Sequence, residues 1–474
     1  MHTQQSQNAI EESEQQKKYR EMTQTPVRPL ICRMAVPTII SMMISSIYNM
    51  ADTFFVGGLG TSATGAVGIA FSLMAVIQAI GFFFGQGSGN YMSRKLGARC
   101  TQEAARMSAT GFFTALGAGC VILALGELFL EPMCRLLGAT ETILPYAMDY
   151  IRLILLGAPY MTAALVLNVQ LRMQGNAFYA MIGLMSGGLL NIVLDPLFIF
   201  QVGMGVSGAA LATILSQLVS FLLLLRGTFH GGNVRIQLRL FSPSASRYKA
   251  ILGGGLPSLC RQSLSSFATI CLNTAAGPFG DAAIAAMSIV TRVSMFASSA
   301  MLGFGQGFQP VCGFNYGAKR FDRVRQGFWF CVTVAAIVLT AFAVLGYVFA
   351  PSIVRVFRAD DPAVIRIGTQ AMRLQCLTFP LQCWIIPCNM MLQNIAKTVR
   401  ASVLSMARQG LFFLPFIFLL PPVWGMLGVE LCQPVADILS ALLAVPMTVP
   451  VLQELKRSQV DLPVQKVSES GGSR

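Results

Sequence analysis

Two aspartates stand inside strongly apolar stretches of the sequence, where a charged side chain is costly and is usually retained for function. Asp52 and Asp195 each lie about five residues before the end of such a stretch, or about 7 Å along a helix. Asn191 lies one helical turn before Asp195 and shares its face. Thr213 lies about eight residues into the next stretch, or about 12 Å deep, so we expect all four side chains in one layer. Their oxygens could bind Na⁺, or the two carboxylates could share and release protons.

A second charged pair is predicted near the C-terminal end of the sequence. Arg408 and Asp437 fall at comparable depths in the last two apolar stretches. Since adjacent helices carry them, we expect a buried structural ion pair. Arg292 has no evident partner in the sequence.

The remaining reactive side chains do not indicate catalysis. The twelve Cys include no CxxC motif or Cys/His cluster, and the only histidines, His2 and His230, lie outside the apolar stretches. We therefore expect no metal centre other than a coupling Na⁺, no disulfide framework, no organic cofactor and no enzymatic activity.

The elements that must hold these residues are membrane-spanning helices. The chain has 474 residues, 54% hydrophobic and 11% charged, whereas soluble proteins carry about 25% charged residues. Its apolar residues form blocks that approach the roughly 20 residues needed to cross a bilayer. Twelve such spans are predicted, at about 34–56, 64–91, 107–130, 144–170, 177–200, 205–225, 252–277, 283–311, 327–350, 363–394, 400–420 and 425–452.

The net charge of +14 describes topology rather than a binding surface. Of the 34 Lys and Arg, 25 fall in the two tails and in alternate connections, which the positive-inside rule places in the cytoplasm. Both termini are therefore predicted to be cytoplasmic, in a multi-pass protein of the plasma (inner) membrane. No basic stripe with stacking aromatics is present, so we expect no nucleic-acid partner.

The sequence also repeats itself. Gly85-Gln86-Gly87 recurs as Gly305-Gln306-Gly307, and Pro37 recurs as Pro257, both at a shift of 220 residues. Because the shift contains six spans, the halves are predicted to be parallel repeats, a design that holds substrate between two lobes. The predicted domains are an N-terminal tail (1–33), an N-lobe (34–225), a linker (226–250), a C-lobe (251–452) and a C-terminal tail (453–474).

These features resemble the multidrug and toxic compound extrusion (MATE) family. The resemblance rests on the segment 49–53 (NMADT), the paired GQG elements, Asn191-x3-Asp195-Pro196, the segment 208–213 (GAALAT) and the segment 433–437 (QPVAD). It implies an all-α, V-shaped protein with twelve helices in two six-helix lobes. It also implies a secondary active exporter, in which H⁺ or Na⁺ moving inward drives amphipathic, often cationic, compounds outward.

The resemblance assigns roles to single residues. The family's cation site matches Asp52, Asn191, Asp195 and Thr213, and its surrounding polar network matches Tyr48, Tyr150 and Asn168. The family's counterpart of Pro37 is associated with bending of the first helix. Read without the family, Pro37 is an ordinary helix-start proline in the first turns of span 1.

The C-lobe departs from the pattern of some family branches, which place acidic residues in spans 7 and 10. Span 7 has Arg261 and Gln262 instead, and span 10 has no Asp or Glu. Two alternative functions stay open. A lipid-precursor flippase of the same superfamily would need several Arg or Lys in the N-lobe part of the cavity, and a membrane-embedded transferase would need a catalytic motif. We expect a monomer that contacts lipid and small amphipathic or cationic substrates.

Overall fold

The computed structural model describes residues 2–57, 59, 61–230, 232–357 and 361–460, and within these the chain is helical, without a β-strand. Residues 461–474 of the predicted C-terminal tail lie outside the described residues, as does Met1. The first half contains eight α-helices: α1 His2–Gln24, α2 Val27–Gly57, α3 Thr61–Gly97, α4 Thr101–Leu128, α5 Leu130–Leu136, α6 Leu144–Met173, α7 Ala177–Pro196 and α8 Gly205–Gly227.

The second half repeats this order. Its helices are α9 Ala245–Ala276, α10 Asp281–Gly317, α11 Phe321–Val348, α12 Ala350–Phe357, α13 Pro362–Thr378, α14 Gln382–Asn394, α15 Thr398–Met406, α16 Phe413–Trp424 and α17 Met426–Val460. Two π-helical segments, Leu197–Gln201 and Ala407–Leu411, extend α7 and join α15 to α16.

The twelve predicted spans correspond to helices, which confirms the fold class. In the described part of the chain, ten helical segments are long and apolar enough to cross a membrane. The other two spans are α9, whose middle carries Arg261 and Gln262, and the pair α13–α14. The span predicted at 363–394 is not one continuous helix, because a 3₁₀ turn at Phe379–Leu381, which contains Pro380, separates α13 from α14.

The internal repeat extends to backbone and side-chain detail. The short helices α5 and α12 occupy corresponding places in the two halves. Arg99 and Lys319, 220 residues apart, both adopt left-handed backbone conformations, with φ of 60° and 57°. The Asn168 side chain donates to the Ala180 carbonyl at 2.9 Å, as Asn389 does to that of Ala401 at 3.0 Å. The two lobes are therefore built on one plan.

The helix bounds correct three boundary predictions. Helix α2 begins at Val27, ten residues before Pro37, so the interpretation of Pro37 as a helix-start proline is wrong. The segment between lobes is 228–244 rather than 226–250, because α8 ends at Gly227 and α9 begins at Ala245. The predicted N-terminal tail contains the 23-residue helix α1.

Helix α6 is the central helix of the N-lobe. In its most apolar window 67% of the residues are buried, against 28–44% in the other nine spanning segments. It packs on α3, α4 and α8, and α7 and α8 pack on each other. This places the ends of α2, α7 and α8 next to one another.

The lobes meet at the end of the molecule that carries the segment between them, here called the linker end. Helix α3 packs on α9, and α10 packs on α2. A Cβ on Gly87 would lie 2.3 Å from the Ile251 carbonyl oxygen, and one on Gly307 would lie 2.4 Å from the Ala35 Cα. Only glycine permits such an approach. The last glycine of each GQG element thus forms a contact between the lobes.

Candidate functional site

Three helices bring four of the predicted site residues together. Asn191 and Asp195 lie on α7, and the Asn191 amide donates to Asp195 Oδ1 at 3.1 Å. The same amide lies 3.5 Å from the Thr213 hydroxyl on α8. Asp52 on α2 is buried and lies within electrostatic range of Asp195. The structure thus brings together four residues predicted for the site, with Asn191 in contact with Asp195 and Thr213, and Asp52 near Asp195.

Several oxygens of this site are buried and have no hydrogen-bond donor among the described residues. Asp52 Oδ1, Asp195 Oδ2 and the Tyr150 hydroxyl find no hydrogen-bond partner in the described chain. Asp195 itself is 0% exposed. Buried polar atoms are nearly always satisfied, so each orphaned oxygen requires an explanation. A proton shared by the carboxylates, or a cation bound by carboxylate, amide and hydroxyl oxygens, would supply one.

The local sequence explains this geometry. Pro196 lacks a backbone N–H, and the helix continues past it as a π-helical turn, a feature often found at functional sites. Gly208 on α8 packs directly on this turn, since a Cβ there would lie 2.7 Å from the Phe198 carbonyl oxygen. The turn and the glycine together hold α7 against α8 where Asp195 and Thr213 project.

Two of the three residues predicted for the polar network lie at this site. Tyr48 and Tyr150 are each within electrostatic range of Asp52. The Tyr150 hydroxyl lies beside Thr213 without meeting hydrogen-bond geometry. Asn168 does not join them. It lies 18 residues beyond Tyr150 on α6, or about 27 Å along the helix, and binds the Ala180 carbonyl.

The described residues of the C-lobe do not form an equivalent site. Applying the repeat shifts, the counterparts of Asp52, Asp195 and Thr213 are Leu272, Leu414 and Cys432. No group of three or more His, Cys, Asp or Glu suited to a metal ion occurs in the part of the chain that the structure describes. The acidic site is therefore a property of one lobe.

A cavity of about 690 Å³ lies between the lobes. Its N-lobe wall carries polar side chains that include Tyr48, Gln78 and Gln217, and its described lining residues include no charged one. Its C-lobe wall carries four charged residues, Arg261, Arg292, Arg408 and Glu430. Because Tyr48 lines the cavity and also lies near Asp52, it connects the two sites.

The residues that line the cavity lie farther from the linker end than the lobe contacts do. On α2 the contacts include Ala35, whereas the cavity begins at Met42. On α9 the contacts include Ile251 and Gly255, whereas the cavity begins at Arg261. The lobes are thus closed between the linker end and the cavity.

Arg408 and Asp437, predicted as an ion pair, are in direct contact. Arg408 Nε donates to Asp437 Oδ1 at 2.6 Å. The amide groups of Gln433 and Gln375 donate to the same carboxylate at 2.9 and 3.1 Å, and the Thr378 hydroxyl lies 3.4 Å away. Asp437 is 0% exposed. Its carboxylate is thus saturated with donors, unlike those of Asp52 and Asp195.

Helix α1 is the main feature missed by the sequence interpretation. The Asn315 amide donates to the Met22 carbonyl at 3.1 Å, and Arg320 donates to that of Thr23 at 3.1 Å. Lys18 donates to Asn233, in the segment between the lobes, at 2.5 Å. On the N-lobe side, the Arg99 guanidinium lies 4.4 Å from the centre of the Tyr19 ring. The helix therefore bridges both lobes at the linker end. The segment 2–24 contains no Gly or Pro and is rich in Gln, Glu and Lys, which is a helix signal that propensity could have found.

The chain is similar to known transporters over most of its length. The MatE family profile matches residues 37–197 and again 257–419, once in each lobe. Multidrug export protein MepA of Staphylococcus aureus (strain MRSA252) is 24% identical over 422 residues, covering 89% of this chain and 93% of that protein. MepA of Staphylococcus haemolyticus (strain JCSC1435) is 26% identical over 415 residues, covering 86% and 90%.

Solved structures share the fold. The outward-facing conformation of a multidrug resistance MATE family transporter aligns with a TM-score of 0.87 at 27% identity, covering 93% of this chain and 99% of that one. A MOP superfamily transporter from Pyrococcus furiosus aligns with a TM-score of 0.86 at 28% identity, with the same coverage. One family match in each lobe and a shared fold over nearly the whole length show that this chain belongs to the MATE family of membrane transporters.

Proposed function

We propose that this protein is a secondary active multidrug exporter of the plasma membrane, in which H⁺ or Na⁺ moving inward drives amphipathic, often cationic, compounds outward. The observation that carries the proposal is the buried pair Asp52 and Asp195, each with a carboxylate oxygen that finds no donor among the described residues. The free energy released when such a site takes up a proton or a cation can drive movement of the substrate. The names of the MepA relatives support export of multiple drugs.

The conformation fits the release step of export. With both termini and the linker in the cytoplasm, as the basic connections favour, the lobes are closed on the cytoplasmic side. The cavity then lies on the outer side of that closure. The similarity to a transporter solved in its outward-facing conformation supports this orientation.

Coupling can follow from the position of Tyr48. Asp52 lies one turn after Tyr48 on α2, and Tyr48 packs against Gly188 of α7, where a Cβ would lie 3.1 Å from the Tyr48 ring. Binding of a proton or cation between Asp52 and Asp195 alters the interaction of α2 with α7. That change is transmitted to the cavity wall through Tyr48. An ion that binds one arrangement of these helices better shifts the population toward it, which is the requirement for coupling.

Pro37 lies on the linker side of Tyr48 in the same helix. Its missing N–H leaves the carbonyl of Arg33 without the usual intrahelical donor, and its own carbonyl accepts from Ser41 Oγ at 2.9 Å. We therefore retain Pro37 as the proposed point of bending in α2.

The alternatives receive less support. A flippase was expected to need several Arg or Lys in the N-lobe part of the cavity, and the described N-lobe lining residues include none. A transferase would need a catalytic motif, whereas the charged residues among the described lining of the cavity are three arginines and one glutamate. We propose a monomer without a resident cofactor.

The test is transport in proteoliposomes. The purified chain is reconstituted, and efflux of ethidium is followed while a pH gradient and a sodium gradient are imposed separately. We expect one gradient to drive efflux, and the Asp52→Asn and Asp195→Asn variants to lose gradient-driven efflux while remaining folded. Asp149→Asn is the matched control, because Asp149 is an exposed aspartate beside Tyr150 on α6.

Two results would contradict the proposal. If neither gradient moves any of a panel of cationic and zwitterionic dyes, the substrate class is wrong. If both Asn variants export as well as the parent, the coupling site is wrong.

A further inference from the structure

The C-lobe wall of the cavity carries two arginines that the proposed coupling does not use. Arg261 comes from the middle of α9, where it is half-buried, and Arg292 comes from α10, where it is exposed to the cavity. Within the described chain, neither makes a hydrogen bond or an ion pair. A guanidinium stays protonated at any physiological pH, so both charges are present.

Their surroundings increase the positive potential. Arg172, fully buried on α6, lies within electrostatic range of Arg261, and its Nε and Nη2 have no partner in the described chain. Its Nη1 donates to Gln306 at 2.5 Å, a neutral acceptor. The acidic residue of the same wall is Glu430, whose Oε2 also lacks a donor in the described chain. Positive groups therefore outnumber negative ones here.

Arg408, on the same wall of the cavity, differs because it has a structural ion-pair partner. Its carboxylate partner, Asp437, is held by two glutamine amides and approached by a threonine hydroxyl. Arg261 and Arg292 have no such arrangement. Charges within membrane spans are normally paired or functional, and neither of these two forms an ion pair with a residue that the structure describes.

We propose that Arg261 and Arg292 form a subsite for the anionic group of an amphipathic substrate. This group is a carboxylate, a sulfonate or a phosphate. A guanidinium recognises such groups through paired N–H donors. The apolar body of the ligand would lie on cavity residues such as Phe82, Met161 and Met287. The cavity volume of about 690 Å³ falls within the roughly 300–1,000 Å³ of sites for drug-sized ligands.

The inference rests on the proposed function and narrows its substrate class. Among amphipathic compounds, those with an anionic group, zwitterions included, bind better than plain cations of the same shape. The anionic group can belong to a free organic acid or to a lipid headgroup, and the experiment separates these two sources.

The test is binding of a matched dye pair to the full-length protein in detergent, measured by fluorescence anisotropy. The pair is a rhodamine with a free carboxylic acid, which is a zwitterion, and its ethyl ester, which is a cation. We expect the acid to bind more tightly than the ester. Arg261→Gln and Arg292→Gln should each weaken binding of the acid by about tenfold or more, the usual effect of losing a charged hydrogen bond, and should leave the ester unchanged.

Three controls separate recognition from folding. Arg239→Gln removes the same charge from the segment between the lobes and should leave both dyes unaffected. Arg261→Lys keeps the charge and should retain part of the preference for the acid. Arg261→Gln should melt at the same temperature as the parent or higher, because no partner is orphaned. A lower melting temperature would indicate a structural role and overturn the proposal.

The remaining outcomes test the subsite and identify the source of its anionic ligand. Equal binding of acid and ester in the parent overturns the subsite. If short-chain phosphatidylglycerol displaces the acid more effectively than an unlabelled aromatic carboxylate does, the ligand is a lipid headgroup, and the reverse order indicates a free acid. Failure of the proposed function is distinct, since it appears as absence of gradient-driven efflux of either dye while the binding preference persists.

Discussion

Replacement of Gly87 by alanine should open the lobe contact at the linker end. The new Cβ would lie 2.3 Å from the carbonyl oxygen of Ile251, a backbone atom that cannot rotate away. Essentially no real Cβ contact is shorter than 3.0 Å, so the two backbones must separate by at least the difference, 0.7 Å. Because α3 and α9 belong to different lobes, this separation acts on the closure between lobes.

The size of the effect follows from the cost of overpacking. Forcing a methyl group into a well-packed contact costs about 1–3 kcal/mol. A bias of that size between two conformations changes their ratio about 5- to 150-fold. Gly307→Ala should act in the same direction, since its Cβ would lie 2.4 Å from the Ala35 Cα.

The native thiol of Cys312 provides the assay. It is 0% exposed on α10 and lies beside Arg94 of the other lobe. Its alkylation by N-ethylmaleimide, followed by peptide mass spectrometry, should therefore report opening of the linker end. We expect Gly87→Ala to increase the alkylation rate in proportion to the open population.

Two comparisons make the result decisive. Gly68→Ala places the same methyl group on the same helix with nothing within 4 Å, and should leave the rate unchanged. Cys432 is buried inside the C-lobe and donates to the Gly428 carbonyl at 3.0 Å, so its rate should be constant unless the lobe itself unfolds. An unchanged Cys312 rate in a folded Gly87→Ala protein would refute the role of this contact.

Two further predictions concern the remaining features. Deleting residues 2–24 removes the helix that contacts the C-lobe through Met22 and the N-lobe through Tyr19, so Cys312 alkylation should accelerate. An unaltered rate would show that α1 does not hold the lobes together. Asp437→Asn leaves Arg408 without its carboxylate partner and should lower the free energy of unfolding by about 3 kcal/mol. This value is the lower end of the cost of breaking a buried ion pair, because Arg408 reaches the cavity. Thermal unfolding should show this loss as a lower melting temperature. Glu141→Gln breaks an exposed pair with Arg135 and should change the melting temperature little. Equal melting temperatures for the two variants would contradict the assignment of Arg408 and Asp437 as a buried structural pair.

The positions of the spans and the grouping of the residues proposed for the cation site could be predicted from the sequence. Hydropathy, helix period and the distance of a residue from the end of its span can be read directly along the sequence. They were sufficient to place Asp52, Asp195 and Thr213 at one depth and to pair Arg408 with Asp437. The repeat could be read in the same way, because both halves use the same residues at the same intervals.

Which helix faces meet was decided only by the tertiary structure. The resemblance grouped Asn168 with the tyrosines, yet about 27 Å of α6 separates it from Tyr150. The sequence does not indicate which backbone the GQG glycines approach, since that depends on how the two lobes pack. Arg261 appeared in the sequence only as a departure from a family pattern. Helix rotation and lobe packing place it, without an ion-pair partner among the described residues, on the wall of the central cavity.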